Sequence, residues 1–132
     1  MNLLELLISS ILVVFIGSIV LVTISSVTYD EIRNMYSPYI LRAMIEKNVG
    51  KTRENKGILV IKKDMMLLIE PSKIEKIPLK NFKIEKIVCS QSTRQIIRFI
   101  NGEVSLAGSI VGRNWKLTVE PVTGRIRVYV HR

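Results

Sequence analysis

Histidine and cysteine are almost missing from these 132 residues: each occurs once, as His131 and Cys89. A single cysteine excludes a disulfide within the chain. With apolar Ile87 and Val88 beside it, Cys89 reads as a buried, inert thiol. A single histidine one residue from the end of the sequence excludes multi-histidine metal sites and offers little for acid–base catalysis. No acid pair, cysteine cluster or Ser/His/acid set occurs at useful spacing, so the expectation is a chain that is not an enzyme and carries no metal or cofactor. Gly50-Lys51-Thr52 imitates the end of a phosphate-binding loop, but that motif needs a glycine at position 45, which is Ile. Internal repeats and low-complexity tracts are absent as well.

The most consequential absence is of charge. Glu5 is the only charged residue in the first 29 positions, and residues 6–29 hold no ionisable group except the Tyr29 phenol. Those 24 residues make a helix of about 36 Å, enough to span a bilayer with some tilt. They are too many for a signal-peptide core, and they lack a basic leading region and a small-x-small cleavage site. Ser9/Ser10, Gly17/Ser18 and Ser25/Ser26 recur every seven to eight residues, near one stripe of a helix. Such a stripe lets apolar helices approach closely where the hydrophobic effect gives no help.

All 20 Lys and Arg follow Tyr29, against 10 of the 11 acids, so residues 30–132 carry an excess of about ten positive charges. This suits either a solvated basic surface or attraction to polyanions. Ile32, Met35, Tyr36, Tyr39, Ile40, Ala43 and Met44 continue the helical period through Pro38, which reads as a kink rather than a break. The helix is expected to end near Asn48-Val49-Gly50 and to pack this stripe on a domain. Residues 51–56 read as a loop, and the period then changes to two. The expected strands are 57–62 and 65–70 as a hairpin, one from about 82 to 89, 94–100 and 103–110 about Asn101-Gly102, and 115–120 with 125–131. Residues 71–78 read as loop, and Trp115 as core. The fold class is therefore α+β: a long N-terminal transmembrane and amphipathic helix packed on an antiparallel β-sheet. Its parts are an anchor at 1–29, an amphipathic continuation at 30–50 and a β-rich domain at 51–132.

Leu3-Leu4-Glu5-Leu6-Leu7 followed by an apolar run resembles the start of a mature type IV pilin or pseudopilin, with Met1 and Asn2 where Phe and Thr are usual. Phe99-Ile100-Asn101-Gly102, Leu106-Ala107-Gly108-Ser109-Ile110 and Gly124-Arg125-Ile126-Arg127-Val128 are similar to the C-terminal region of the GspH/FimT-type minor pilins and of the competence pseudopilin ComGD. Residues 50–93 carry no such likeness. The resemblance implies a pilin-like fold and a structural subunit of a type IV pilus, a competence pseudopilus or a type II secretion filament. It implies that a prepilin peptidase removes a short basic leader before Met1 and that Met1 is N-methylated. Losing that leader would reverse the orientation that Arg33, Arg42 and Lys47 would otherwise impose, and place the C-terminal domain outside the cytoplasmic membrane. The implied partners are the membrane, other pilin subunits through the N-terminal helix, and the peptidase and assembly machinery. The implied final location is a cell-surface or periplasmic filament.

Two sites follow. A carboxylate in the first helical turn is favoured by the macrodipole, which alone gives Glu5 a local role. Within a filament it would meet the amine of Met1, its own or a neighbour's, and set axial register. The Gly124-Arg125-Ile126-Arg127 segment resembles the motif that FimT-like pilins use in DNA uptake. Arg125 and Arg127 alternate along a strand, and with Arg113, Lys116 and Arg132 they would make a phosphate-binding patch. The alternatives to a minor pilin are a DNA-binding minor pilin, a major pilin, and a single-pass membrane protein that does not polymerise.

Overall fold

The computed structural model describes residues 2–131, without the side chains of Val27, Thr28 and Asp30. The expected roles of Met1 and Arg132 therefore lie outside the described residues. The chain forms two compact units, Met1–Asn34 and Met35–Arg132. One helix, α1 (Leu3–Asn55), runs through both.

In the first unit every described side chain from residue 2 to residue 26 is exposed. The segment is long and apolar enough to cross a membrane. Its few polar groups do not oppose that. Ser10 donates to the Leu6 carbonyl and Ser18 to that of Val14, both at 2.8 Å; Thr23 donates to that of Ile19 at 2.9 Å. Each of these three hydroxyls is satisfied by its own helix, as hydrocarbon favours for a polar group it contacts. Asn2 caps the helix: its side-chain oxygen accepts from the Leu4 amide at 3.3 Å, and its carbonyl accepts from the Leu6 amide at 3.1 Å.

The second unit is α+β. Its strands are β1 (Ile58–Ile61), β2 (Met65–Ile69), β3 (Ile74–Pro78), β4 (Lys86–Cys89), β5 (Ile97–Ile100), β6 (Glu103–Leu106), β7 (Gly108–Val111), β8 (Trp115–Val119) and β9 (Ile126–Val130). They form two antiparallel sheets rather than the single one expected, ordered β3-β2-β1-β5-β6 and β4-β7-β8-β9. One core joins them to the helix: Leu41 and Ile45 meet Leu59, Met66 and Phe99 from the first sheet and Ile110, Trp115 and Leu117 from the second.

The expected strand over 103–110 divides at buried Ala107, and its halves join different sheets. Gly108 explains the division. A Cβ there would stand 2.1 Å from the Val88 carbonyl oxygen, so only glycine lets β7 lie against β4. The Asn101-Gly102 hairpin forms as expected, with φ of 50° and 83° at its two central residues, as a tight turn between twisted strands needs. Residues 74–78, expected as loop, form edge strand β3; Pro78 ends it, at an edge where a missing N–H costs little. The strand expected from about residue 82 starts only at Lys86, because Lys80–Phe82 makes a 3₁₀ turn closed by Lys83 at φ 50°.

The helix departs from expectation twice. It continues through Pro38 and past Gly50 to Asn55, where Lys56 takes φ 54° and the Gly57 amide donates back to the Thr52 carbonyl at 3.0 Å. That is a helix stop with a left-handed residue after the last turn, which Lys56 supplies in place of the usual glycine. The buried face is also not the broad apolar stripe. Ser37, Pro38, Leu41, Ile45, Asn48 and Thr52 face the core, with Met44 and Val49 partly buried, while Met35, Tyr36, Tyr39, Ile40 and Ala43 are exposed. Periodicity that counts only apolar residues overlooks Asn48 and Thr52, whose polar groups are satisfied inside. Asn48 donates to the Met44 carbonyl at 2.8 Å. Thr52, fully buried, donates to the Val49 carbonyl at 2.7 Å and accepts from the Gly102 amide at 3.0 Å.

Thr52→Val keeps the shape and strands the Gly102 amide, so it should destabilise the second unit by about 1–3 kcal/mol. Thr52→Ser, which keeps both bonds, should lose less. Denaturant unfolding followed through Trp115 fluorescence measures both.

Candidate functional site

The first candidate is the start of the helix. With Asn2 as cap, Glu5 occupies the third helical position, where a carboxylate faces the unpaired amides of the first turn. Its side chain is exposed, and among the described residues it has no ion-pair partner. Gly17, in the small-residue stripe, has nothing within 4 Å of where a Cβ would lie, so that surface is open. This position is the one a local, helix-end role of Glu5 would use. An axial contact would require a second chain.

The second candidate is the outer face of the β4-β7-β8-β9 sheet. The inner positions Trp115, Leu117, Val119 and Ile126 are buried, so their alternates point outward. The register aligns two rows across the four strands: Lys86, Val111, Lys116 and Tyr129 in one, Val88, Ser109, Thr118 and Arg127 in the next. The Ser109 and Thr118 hydroxyls lie 3.3 Å apart, in keeping with that shared face. Lys116 and Arg127 are therefore diagonal neighbours, with Tyr129 beside Lys116.

Of the residues singled out from the sequence, Lys116 and Arg127 come together, with Arg125 two residues before Arg127, while Arg113 lies at the other end of the hairpin. Arg113 lies in the turn beyond one end of β8 and Arg125 precedes β9 at the other end. At 3.3 Å per residue, roughly 20 Å of strand separates them. Arg127 is also not a free cation: its guanidinium pairs with the Glu120 carboxylate. The Glu120 amide donates to the Arg125 carbonyl at 2.9 Å, which places Glu120 on the same outer face. The Thr123 hydroxyl donates to the same carboxylate at 3.2 Å, holding it over Arg127.

Lys86, Tyr129 and Glu120 were missed from the sequence. Glu120 was legible, since it alternates with Lys116 and Thr118 along one strand. Lys86 was not, because nothing local says that β4 pairs with β7. Among the described residues no group of His, Cys, Asp and Glu gathers as a metal site would need. Cys89 is buried and free.

Among the described residues, two clefts of the second unit lie between the helix and β9 or its flanking turn. One, of about 220 Å³, lies between Val49 and Arg53 of the helix and Phe99, Thr123 and Gly124. The other, of about 700 Å³, is lined by Met35, Tyr36, Tyr39 and Val130. Together they show that β9 runs antiparallel to this part of the helix, its start near residue 50 and its end near residue 36. Comparison of the chain with protein-family models, with curated proteins and with solved structures finds no match.

An exposed ion pair contributes about 0–1 kcal/mol. Glu120→Gln should therefore leave the melting temperature nearly unchanged while freeing Arg127 and delaying elution from heparin, a polyanion. Chromatography of the two proteins across a salt gradient measures this.

Proposed function

We propose that this chain is a minor pilin or pseudopilin: a non-enzymatic subunit that its N-terminal helix anchors in the cytoplasmic membrane and then packs into a filament. The observation that carries this reading is the helix itself. One uninterrupted element begins as an exposed apolar segment with a capped, carboxylate-bearing first turn, and ends as part of the core of a two-sheet β unit. Such a segment suits both a bilayer and a bundle of like helices, because its described side chains are exposed and the hydroxyls of Ser10, Ser18, Thr23 and Ser26 are bonded to the helix backbone. The likeness at Leu3-Leu4-Glu5 and at Gly124-Arg125-Ile126-Arg127 supports the same reading. On it, Glu5 and the amine of Met1 form the axial contact, prepilin peptidase and the assembly machinery are the partners, and the β unit lies outside.

The upstream codons are expected to encode a short basic leader ending in Gly or Ala. Glu5→Ala should block incorporation into filaments while the second unit keeps its fold by circular dichroism. Normal incorporation of that variant would remove the register role.

A second reading, DNA capture by the same subunit, is favoured by the outer sheet face, where Lys116 and Arg127 flank exposed Tyr129 and Lys86 lies at the opposite edge of the sheet. It is opposed by Glu120, which already occupies Arg127. If DNA is the ligand, Lys116→Ala with Arg127→Ala should weaken duplex binding by a similar factor for all sequences and reduce the salt slope by about 2. Equal affinity and slope across a salt titration would exclude this face.

A further inference from the structure

The turn between β8 and β9 places an apolar residue where chain conformation and solvent both disfavour it. Val122 is 94% exposed and has φ 72°. The Thr123 amide donates to the Pro121 carbonyl at 2.9 Å, closing a three-residue turn about Val122, and the Gly124 amide donates to the Glu120 carbonyl at 3.0 Å. A positive central φ makes this the strained form of such a turn, and a β-branched side chain is the least suited to it. Elsewhere positive φ falls on Lys56, Lys83, Asn101, Gly102 and Gly124, none of them β-branched. Nothing within the fold rewards valine at 122, since its side chain is almost wholly in solvent.

A complementary surface lies at the far end of the same strand. Met35, Tyr36 and Tyr39 are about half exposed and with Val130 line an open, mainly apolar cleft of about 700 Å³. Ile126 to Val130 alone separates knob and cleft by about 13 Å, so the two cannot meet within one chain. Between two copies displaced along the helix they can. The displacement is roughly 20 Å, the rise from residue 36 to residue 50.

We infer that Val122 of one copy seats in the Met35/Tyr36/Tyr39/Val130 cleft of the next, a head-to-tail contact between β units. The contact joins two different patches, so it does not close and can repeat indefinitely. Its size argues for a second copy over a free partner. One turn in one cleft buries far less than the roughly 1,000 Å² that a stable interface needs. It can hold only chains already concentrated side by side, as a shared membrane or helix bundle would hold them. The inference rests on the filament reading for that concentration, and adds to it a contact outside the helices.

The test uses full-length chains in phosphatidylethanolamine/phosphatidylglycerol vesicles, with Cys89→Ala in all. A tagged Val122→Cys chain is mixed with a differently tagged Tyr39→Cys chain and mildly oxidised. A parallel mixture replaces the second chain by one carrying Val88→Cys, on the exposed outer sheet face. The 122–39 mixed disulfide should exceed the 122–88 one by about tenfold, the factor that burying one valine supports. Equal yields, or no 122–39 product, overturn the contact.

Val122→Gly supplies a second readout. It relieves the turn and should raise the melting temperature, yet lower association between chains by about tenfold, followed by energy transfer in the same vesicles. Unchanged association overturns the contact. The two readings fail separately. Chains that assemble in a Glu5-dependent way without the 122–39 product leave the filament reading standing alone. The 122–39 product with Glu5→Ala assembling normally leaves the Val122 contact and removes the register role.

Discussion

The hydroxyl of Thr52 is the constraint on which the second unit depends. It is buried, donates to its own helix and accepts the amide of Gly102 at the tip of the β5–β6 hairpin. A hydrogen bond in that position ties two elements 50 residues apart, and the low-dielectric surroundings make its absence costly. Thr52 also sits one turn before the helix end, where its carbonyl receives the Gly57 amide. Its position thus links the length of the helix, the start of β1 and the placing of the first sheet. Asn48, one turn earlier, donates to the Met44 carbonyl of its own helix and reaches the Met66 sulfur of β2 at 3.8 Å. Two polar residues hold the helix in an orientation that apolar residues alone would not select.

That orientation has a functional consequence. Because Leu41, Ile45, Asn48 and Thr52 face the core, the stripe from Met35 to Ala43 is left outward. An exposed apolar surface of this kind marks interaction, and it lies on the helix whose first half is apolar on every side. A chain built this way has apolar surface for neighbours in both of its units. The filament reading gives that surface an occupant, and the outer face of β4-β7-β8-β9 remains for polar ligands. There the electrostatics are restrained: Lys86 and Lys116 stand among neutral residues, and Arg127 is held by Glu120.

Much of the β unit was legible. The Asn101-Gly102 hairpin followed from residues that tolerate positive φ, and the β1–β2 and β8–β9 pairs from alternation between turn signals. The core position of Trp115 was also correctly placed. The errors have local causes. Gly50 reads as a helix stop, but the stop used is Lys56, which no composition rule favours. Pro71 and Pro78 suggest a loop, but Pro78 is tolerated at a sheet edge. Of the candidate basic patch, Lys116 and Arg127 became neighbours, Arg113 and Arg125 went to opposite ends of the hairpin, and Arg132 lies outside the described residues.

The sequence alone determined that a chargeless apolar helix with one early carboxylate leads into a basic α+β region with antiparallel strands. Such features depend on residue type and spacing along the chain, which local physics reads directly. Tertiary structure decided which helix face is buried, that the strands divide into two sheets at Ala107, and that Glu120 covers Arg127. Those outcomes depend on close approach between distant segments: Gly108 against Val88, Thr52 against Gly102, β4 against β7. No pattern along the chain records which of its parts will touch.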